Sequence, residues 1–226
     1  MASRRQLLAR QLIIYSKLLY DRNLVGGTEG NCSVKLSRKS ILITPSGKSL
    51  RALKTTDLIE ISITGKKLSG RLEPSSEYRL HLGICQNRPD IGAICHAHPT
   101  YATAFAVSGL AMEEPILPEI IIAFGTIPLI DYGTPGTDEV FERMRYKVDR
   151  YHAFLLRNHG AVTLGRSLEE AFDRMEMVER SARILAEARR LGTPYVLPTN
   201  LAAKLSGFQK AKAQLAGAGT DPGNPQ

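Results

Sequence analysis

The sequence predicts an α/β protein folded as one domain, and three features carry that prediction. Its 226 residues suffice for one sizeable hydrophobic core within a single domain. Two stretches, one near the start and one from Leu168 to Leu191, repeat apolar residues at helical spacing. Between them lie short apolar runs bounded by glycine, proline, serine and asparagine, the pattern of strands joined by turns, with shorter helical stretches interleaved.

In chain order, Leu7, Leu8, Leu12, Ile14, Leu18 and Leu19 predict an amphipathic helix over Gln6–Leu19, ended by Asn23 and the Gly26-Gly27 pair. The run Gly-Gly-Thr-Glu-Gly-Asn-Cys-Ser-Val-Lys-Leu is a glycine-bearing turn entering a strand. A polar turn at Ser37–Ser40 then leads to Ile41-Leu42-Ile43-Thr44-Pro45-Ser46-Gly47, completing a hairpin. Its loops have amides able to meet phosphate oxygens, or they are ordinary turns. Neither a Walker loop nor a dinucleotide fingerprint is present, because no Gly-Lys-Ser/Thr follows and the glycines open a strand rather than a helix. A strand over Leu58–Thr64 precedes Gly65, Gly70 and Pro74-Ser75-Ser76-Glu77, where serine before an acid marks a helix start. Tyr78, Leu82 and Cys85 continue that helix to a stop before Pro89. Its N-terminus, with the Ser75 and Ser76 hydroxyls, suits an anion. Glu77 in the first turn either complements the helix dipole or serves as a ligand. His81 one turn on reads as a packed histidine, with a bond back to Glu77 as the alternative.

The centre of the chain is Ile-Gly-Ala-Ile-Cys-His-Ala-His-Pro-Thr, from Ile91 to Thr100. In a strand, His96 and His98 project to one face while Cys95 and Ala97 face the other. Two imidazoles so placed either sit partly buried at a strand end or share a cation. Zinc takes imidazole nitrogen at roughly 2.0–2.1 Å and wants four ligands, so more would have to come from elsewhere. Tyr101–Val107 reads as helical, and Pro115–Tyr132 is apolar but broken by Glu119, Gly125 and Pro128. Glu119 is a cap or a functional acid. The turn at Gly133–Thr137 leads to a helix candidate over Asp138–Arg150. Tyr151–Leu156 is a strand interrupted by Arg157-Asn158-His159-Gly160 and resumed at Ala161–Leu164, which leaves His159 on a turn as a solvated histidine or a further ligand. Leu168, Ala171, Phe172, Met175, Val178, Ala182, Leu185 and Ala186 share one face of the longest helix, closed by Gly192 and Pro194. The pattern fades after Pro198. Residues 1–200 form the expected domain, with 201–226 a partly disordered segment that ends in a frayed tail at Ala216–Gln226.

Composition excludes several classes of function. Hydrophobic residues at 43% and charged residues at 23% are ordinary for a globular chain. The net charge of +8 comes from 30 Lys and Arg against 22 Asp and Glu, scattered with no basic run interleaved with aromatics. A small anionic substrate is therefore expected and nucleic acid is not. Cys32, Cys85 and Cys95 have no metal-finger spacing and read as buried thiols in a reducing compartment. No run reaches the ~20 apolar residues that span a bilayer, and Arg10, Gln11 and Lys17 interrupt any signal-like core at the start. The expectation is a cytoplasmic protein with no membrane contact.

Taken in series, Gly30-Asn31, Thr44-Pro45-Ser46-Gly47, Pro74-Ser75-Ser76-Glu77, His96-Ala97-His98-Pro99 and Asn158-His159-Gly160 resemble the class II aldolase and adducin family, over about residues 5–195. Within it the likeness is to fuculose-phosphate aldolase and related ketose 1-phosphate aldolases. The resemblance implies a three-layer αβα domain with a largely antiparallel sheet, assembled as a homotetramer with sites between subunits. It implies that His96, His98 and His159 bind Zn²⁺ with Glu77 as fourth ligand and catalytic base, although imidazole and carboxylate also suit Mn²⁺, Co²⁺ or Fe²⁺. Phosphate contacts are implied for Asn31, Ser46, Gly47, Ser75 and Ser76. The implied reaction is cleavage of a (deoxy)ketose 1-phosphate to dihydroxyacetone phosphate and a small aldehyde through a Zn-stabilised enediolate. Related 4-epimerases carry aspartate where Glu77 stands, which favours an aldolase. The family aldolases also use a tyrosine from a neighbouring subunit, and the corresponding place here reads Pro118-Glu119-Ile120, so Tyr132 or Glu119 is expected to supply that acid. A sugar-phosphate dehydratase or 4-epimerase on the same scaffold is the alternative enzyme. A non-catalytic adducin-like interaction module is the alternative from another class, and the intact ligand set argues against it.

Overall fold

The computed structural model of the protein describes residues 2–207. The tail expected at Ala216–Gln226, and most of the segment 201–226, lie outside the described residues. The elements are α1 (Arg4–Asp21), β1 (Asn31–Lys35), β2 (Ser40–Ile43), β3 (Ile59–Ser62), β4 (Lys67–Ser69), α2 (Tyr78–Asn87) and β5 (Ala93–Ala97), then α3 (Thr100–Val107), α4 (Pro118–Phe124), β6 (Leu129–Ile130), α5 (Glu139–Met144), β7 (Ala153–Leu156), β8 (Gly160–Gly165) and α6 (Leu168–Leu191).

The strands form one sheet in the order β4-β3-β2-β1-β5-β8-β7-β6. Every pair is antiparallel except β6 with β7. Because successive side chains alternate between faces, each strand feeds two cores. Cys32, Val34, Ala93, Cys95, Ala97 and Ala161 join a core with α1, α3, α4 and α6. Ile41, Ile43, Ile94, Phe154, Val162 and Leu164 join the other with α2 and α5. The result is the three-layer αβα arrangement with a largely antiparallel sheet that the resemblance implied. Alternation also puts Asn31, Ser33 and His96 on the α2 face, between residues of opposite facing.

Local differences from the sequence reading have local causes. Helix α1 begins at Arg4, two residues early, because Ser3 and Gln6 form a capping box. Its inward face is Ala9, Leu12, Ser16 and Leu19, whereas Leu7 and Ile14, expected inside, are 52% and 55% exposed. The strand expected over Leu58–Thr64 shortens to β3, and two 3₁₀ turns and β4 were not anticipated. Helix α5 stops at Met144 rather than Arg150; residues 145–150 continue as turns, and the Val148 and Tyr151 carbonyls beyond accept from the buried Arg88 guanidinium, at 2.6 and 3.1 Å. Residues 199–207, where the pattern faded, are helical. Cys32, Cys85 and Cys95 are buried thiols, as expected. Among the described residues no helix is long and apolar enough to cross a membrane.

Helix α2 packs against α5 through an exacting contact. A Cβ added at Gly83 would lie 2.3 Å from Cγ of Phe141 on α5. Gly83→Ala would gain about 1 kcal/mol of helix propensity but overpack this contact, at a cost of about 1–3 kcal/mol. The expected outcome is a lower urea midpoint with an unchanged slope.

Candidate metal centre

Three loops and one helix start converge at the end of β1, β5 and β8. His96 lies within β5, and His98 falls just beyond it, held by its amide on the Leu24 carbonyl at 3.1 Å. His159 arrives on the three-residue turn between β7 and β8, where Asn158 takes φ 54°, a conformation asparagine tolerates. The imidazole nitrogens of His96, His98 and His159 lie within 4.8 Å of one another. Ring centroids stand 5.0, 4.7 and 5.1 Å apart, a nearly equilateral triangle. The turn histidine is therefore not solvated; its side chain is 11% exposed.

Glu77 is the N-cap residue of α2 and makes no capping bond with its side chain. The helix-dipole reading of Glu77 gives way to a different one, because the carboxylate turns inward. Its Oε2 lies 3.0 Å from His96 Nε2 and its Oε1 3.3 Å from His159 Nε2. Ser75 Oγ accepts from the Glu77 amide at 3.3 Å, which fixes the approach of the chain.

The electrostatics follow from burial and crowding. Burial would raise the Glu77 carboxyl, but the charge and hydrogen bond of His96, the charge of His159 and the Asn31 amide outweigh it and hold it well below the usual carboxylate range. Burial would lower His96, but Glu77 reverses this and raises it. Burial, then the charge of His96, pushes His159 down to about 4; His98 falls to about 4 through burial and both neighbours. One proton is thus drawn beside the carboxylate while two imidazoles stay neutral.

These residues fit a divalent cation. Glu77 Oε1 is buried and no hydrogen bond reaches it, since His159 lies off the bonding direction. His96 Nδ1 donates to the Ala161 carbonyl at 3.0 Å, so the nitrogen that would give up its proton to a cation is Nε2, beside Glu77 Oε2 and 3.1 Å from His98 Nε2. Three imidazoles beside a carboxylate are a donor set for zinc and its neighbours in the first row.

The candidate phosphate loops lie side by side. Ser46 N donates to the Glu73 carbonyl and Ser75 N to the Thr44 carbonyl, both at 3.0 Å, and Pro45 bridges Pro74. Ser46, Gly47 and Ser76 are exposed and Ser75 is buried. Among the described residues the Gly47 and Ser76 amides enter no backbone hydrogen bond. Asn31 is placed differently from its neighbours in this group. Its side chain is committed to Glu77 Oε2 at 2.8 Å and to His81 Nε2 at 2.6 Å. Tyr132, 51% exposed after β6, and Glu119, exposed in the first turn of α4, make no hydrogen bond or ion pair with Glu77 or the three histidines. His81 was missed: it does not simply pack, nor does it bond to Glu77. Both ring nitrogens are engaged, with Ser33 Oγ and Asn31 Oδ1.

Comparison with known proteins bears on this geometry. The model of the class II aldolase and adducin N-terminal domain matches residues 10–186. The chain belongs to that family. A 3-oxo-tetronate 4-phosphate decarboxylase of Pectobacterium atrosepticum is 36% identical over 170 residues, covering 74% of this chain and 78% of that protein. An L-fuculose phosphate aldolase of Methanococcus maripaludis is 38% identical over 175 residues, covering 77% and 93%. Among solved structures, an L-fuculose 1-phosphate aldolase superposes with a TM-score of 0.85 at 34% identity, covering 93% of this chain and 98% of its own. The class II aldolase fold and the recognition of the family both stand. The relatives divide between two reactions.

Two outcomes test the site. A Cβ at Gly160 would lie 2.5 Å from the Ala97 carbonyl oxygen and 2.6 Å from His98 Cδ2. Gly160→Ala should therefore displace His98 and weaken Zn²⁺ affinity on the order of tenfold, read by chelator competition. The second concerns pH. Burial pushes His81 down to about 3, and burial, then the charges of Arg174 and Arg88, push His152 down to about 4, from an ordinary 6.5. Below 6.5 the unfolded chain takes up protons that these folded imidazoles refuse. Stability is thus fully present above about pH 6.5 and lost as pH falls toward 4 and 3. The urea midpoint of metal-free protein should fall steadily from pH 7 to pH 4.5.

Proposed function

We propose that the protein is a divalent-metal lyase that breaks a carbon–carbon bond beside the carbonyl of a phosphorylated sugar. The bond we assign to it is the aldol bond of a (deoxy)ketose 1-phosphate, giving dihydroxyacetone phosphate and a small aldehyde. The observation that supports this reading is the triangle of His96, His98 and His159 with the Glu77 carboxylate against it. Those four residues would hold the cation, Zn²⁺ by preference, with Mn²⁺, Co²⁺ or Fe²⁺ also suited to the donors. When bound, it supplies a Lewis acid for the negative charge left by cleavage.

The chain's own groups supply the remaining chemistry. Glu77 Oε1, buried and without a donor, is placed to carry a proton to the substrate carbon released by cleavage. The exposed Gly47 and Ser76 amides, with the Ser46, Ser75 and Ser76 hydroxyls at the start of α2, would hold the phosphate and so orient the ketose. Asn31 would act behind this group, through Glu77. The hydroxyl that becomes the aldehyde oxygen gives up its proton as the bond breaks, and we assign the group that takes it to Tyr132 or Glu119 of a neighbouring copy in a homotetramer. Light scattering should then report four chains.

A second reading is favoured by a specific observation. Decarboxylation of a 3-oxo acid needs a proton at carbon but none removed from a hydroxyl, and within one copy of the chain neither Tyr132 nor Glu119 makes a hydrogen bond with the histidines. The decarboxylase relative in Pectobacterium atrosepticum is 36% identical, against 38% for the aldolase of Methanococcus maripaludis.

The experiment is product analysis by NMR with L-fuculose 1-phosphate and 3-oxo-tetronate 4-phosphate as probes. Dihydroxyacetone phosphate from the first, lost on chelation and restored by Zn²⁺, is the expected result; CO₂ from the second instead would establish the alternative. Glu77→Gln should lose nearly all turnover, by about 10²–10⁴-fold. Near-full turnover in that variant would remove Glu77 from the proton's path.

A further inference from the structure

Behind Glu77 lies a row of buried polar groups that no substrate would touch. Ser33 Oγ lies 2.7 Å from His81 Nδ1, His81 Nε2 lies 2.6 Å from Asn31 Oδ1, and Asn31 Nδ2 lies 2.8 Å from Glu77 Oε2. Ser33, Asn31 and His81 are 1%, 3% and 0% exposed.

The direction of every bond in this row is determined by which atoms can donate. A carboxylate only accepts, so the amide group facing Glu77 is the NH₂, and the amide oxygen faces His81. That oxygen also only accepts, so His81 carries its proton on Nε2. A neutral imidazole protonated there has a bare Nδ1, which accepts from the Ser33 hydroxyl. Donation therefore runs one way, from Ser33 to His81 to Asn31 to Glu77. Turning the amide over would set its oxygen against the buried carboxylate and, with His81 in this tautomer, N–H against N–H.

We infer that His81 is a positioning residue: by holding the Asn31 amide in one orientation it ties down Glu77 Oε2 and leaves Oε1 for the cation and the substrate. The inference rests on the reading of Glu77 as ligand and proton carrier. It also reassigns Asn31 from the phosphate to the carboxylate. Strand and helix supply the row together. Asn31 and Ser33 alternate onto the α2 face of β1, and His81 follows Glu77 by four residues, one helical turn.

The test uses the full chain and three variants, His81→Leu, His81→Gln and Ser33→Ala, with Zn²⁺ affinity by chelator competition and folding checked by circular dichroism. Leucine removes the donor to Asn31, and a 10–100-fold loss of affinity is expected, the usual effect of losing a group that orients a ligand. Glutamine keeps an N–H for the Asn31 oxygen and should stay within about threefold of the parent. Ser33→Ala removes the donor to His81 Nδ1 but leaves the Nε2 proton on the Asn31 oxygen, and should fall between the two. In metal-free protein, ¹⁵N NMR should show His81 protonated on Nε2 with Nδ1 bare, both in the parent and in Ser33→Ala.

A folded His81→Leu that binds Zn²⁺ like the parent overturns the inference, as does His81 protonated on Nδ1. Should His81→Leu fail to fold, His81→Gln decides: retained affinity supports the orienting role, and a tenfold loss shows that ring packing alone matters. A parent protein that binds no Zn²⁺ defeats the reading of the site, while the NMR tautomer still settles the orientation of the amide.

Discussion

A carboxylate taken out of water must be surrounded by positive or donating groups, and the burial of Glu77 imposes that demand on the whole molecule. At 8% exposure it faces His96 and His159 on one side and the Asn31 amide on the other. Four separate parts of the chain have to arrive within a few ångströms for this to hold: the entry to β1, the start of α2, the end of β5 and the turn after β7. The sheet makes that possible, because β1, β5 and β8 are adjacent and antiparallel, so their loops and ends meet at one edge. The small residues around the site, Ala97, Ala161 and Gly160, let these backbones approach closely enough for the imidazoles to meet.

The same arrangement separates two tasks. The side of Glu77 nearest the sheet is fully bonded, through Asn31, His81 and Ser33, while Oε1 faces the histidines without a donor. A carboxylate with one oxygen restrained and the other open can hold a cation and still move a proton, because its orientation does not depend on either. The phosphate loops are built just as economically: the Ser75 amide joins them to Thr44, and its hydroxyl braces Glu77 two residues later. The two exposed loops at Ser46 and Ser76 and the Glu77 carboxylate are thus tied together through the three residues 75–77.

Much of this was legible in the residues. Helical spacing gave α6 its bounds, and alternation placed His96 with its face of the sheet, since both depend on neighbours along the chain. The reading failed where a distant group intervened. Leu7 and Ile14 look core-facing by periodicity, but α1 rolls its Ala9 side inward against the sheet. Helix α5 ends early, and the turns that follow it bring the Val148 carbonyl to Arg88, sixty residues away, a contact that spacing along the chain does not show. His81 looked like a packed histidine because one turn of helix says nothing about Asn31 and Ser33 on a strand.

The sequence by itself determined the kinds of donor present, the order of the motifs that carry them, and the alternation that turns Asn31, Ser33 and His96 to one face. These are properties of covalent order and of local backbone geometry. Only the tertiary structure decided that the Glu77 carboxylate turns from its helix cap to the histidines, that the Asn31 amide bonds to that carboxylate, and that Tyr132 and Glu119 make no hydrogen bond with these groups within one copy. Those outcomes depend on which strands lie side by side and on what burial does to charge, and neither quantity exists until the chain has folded.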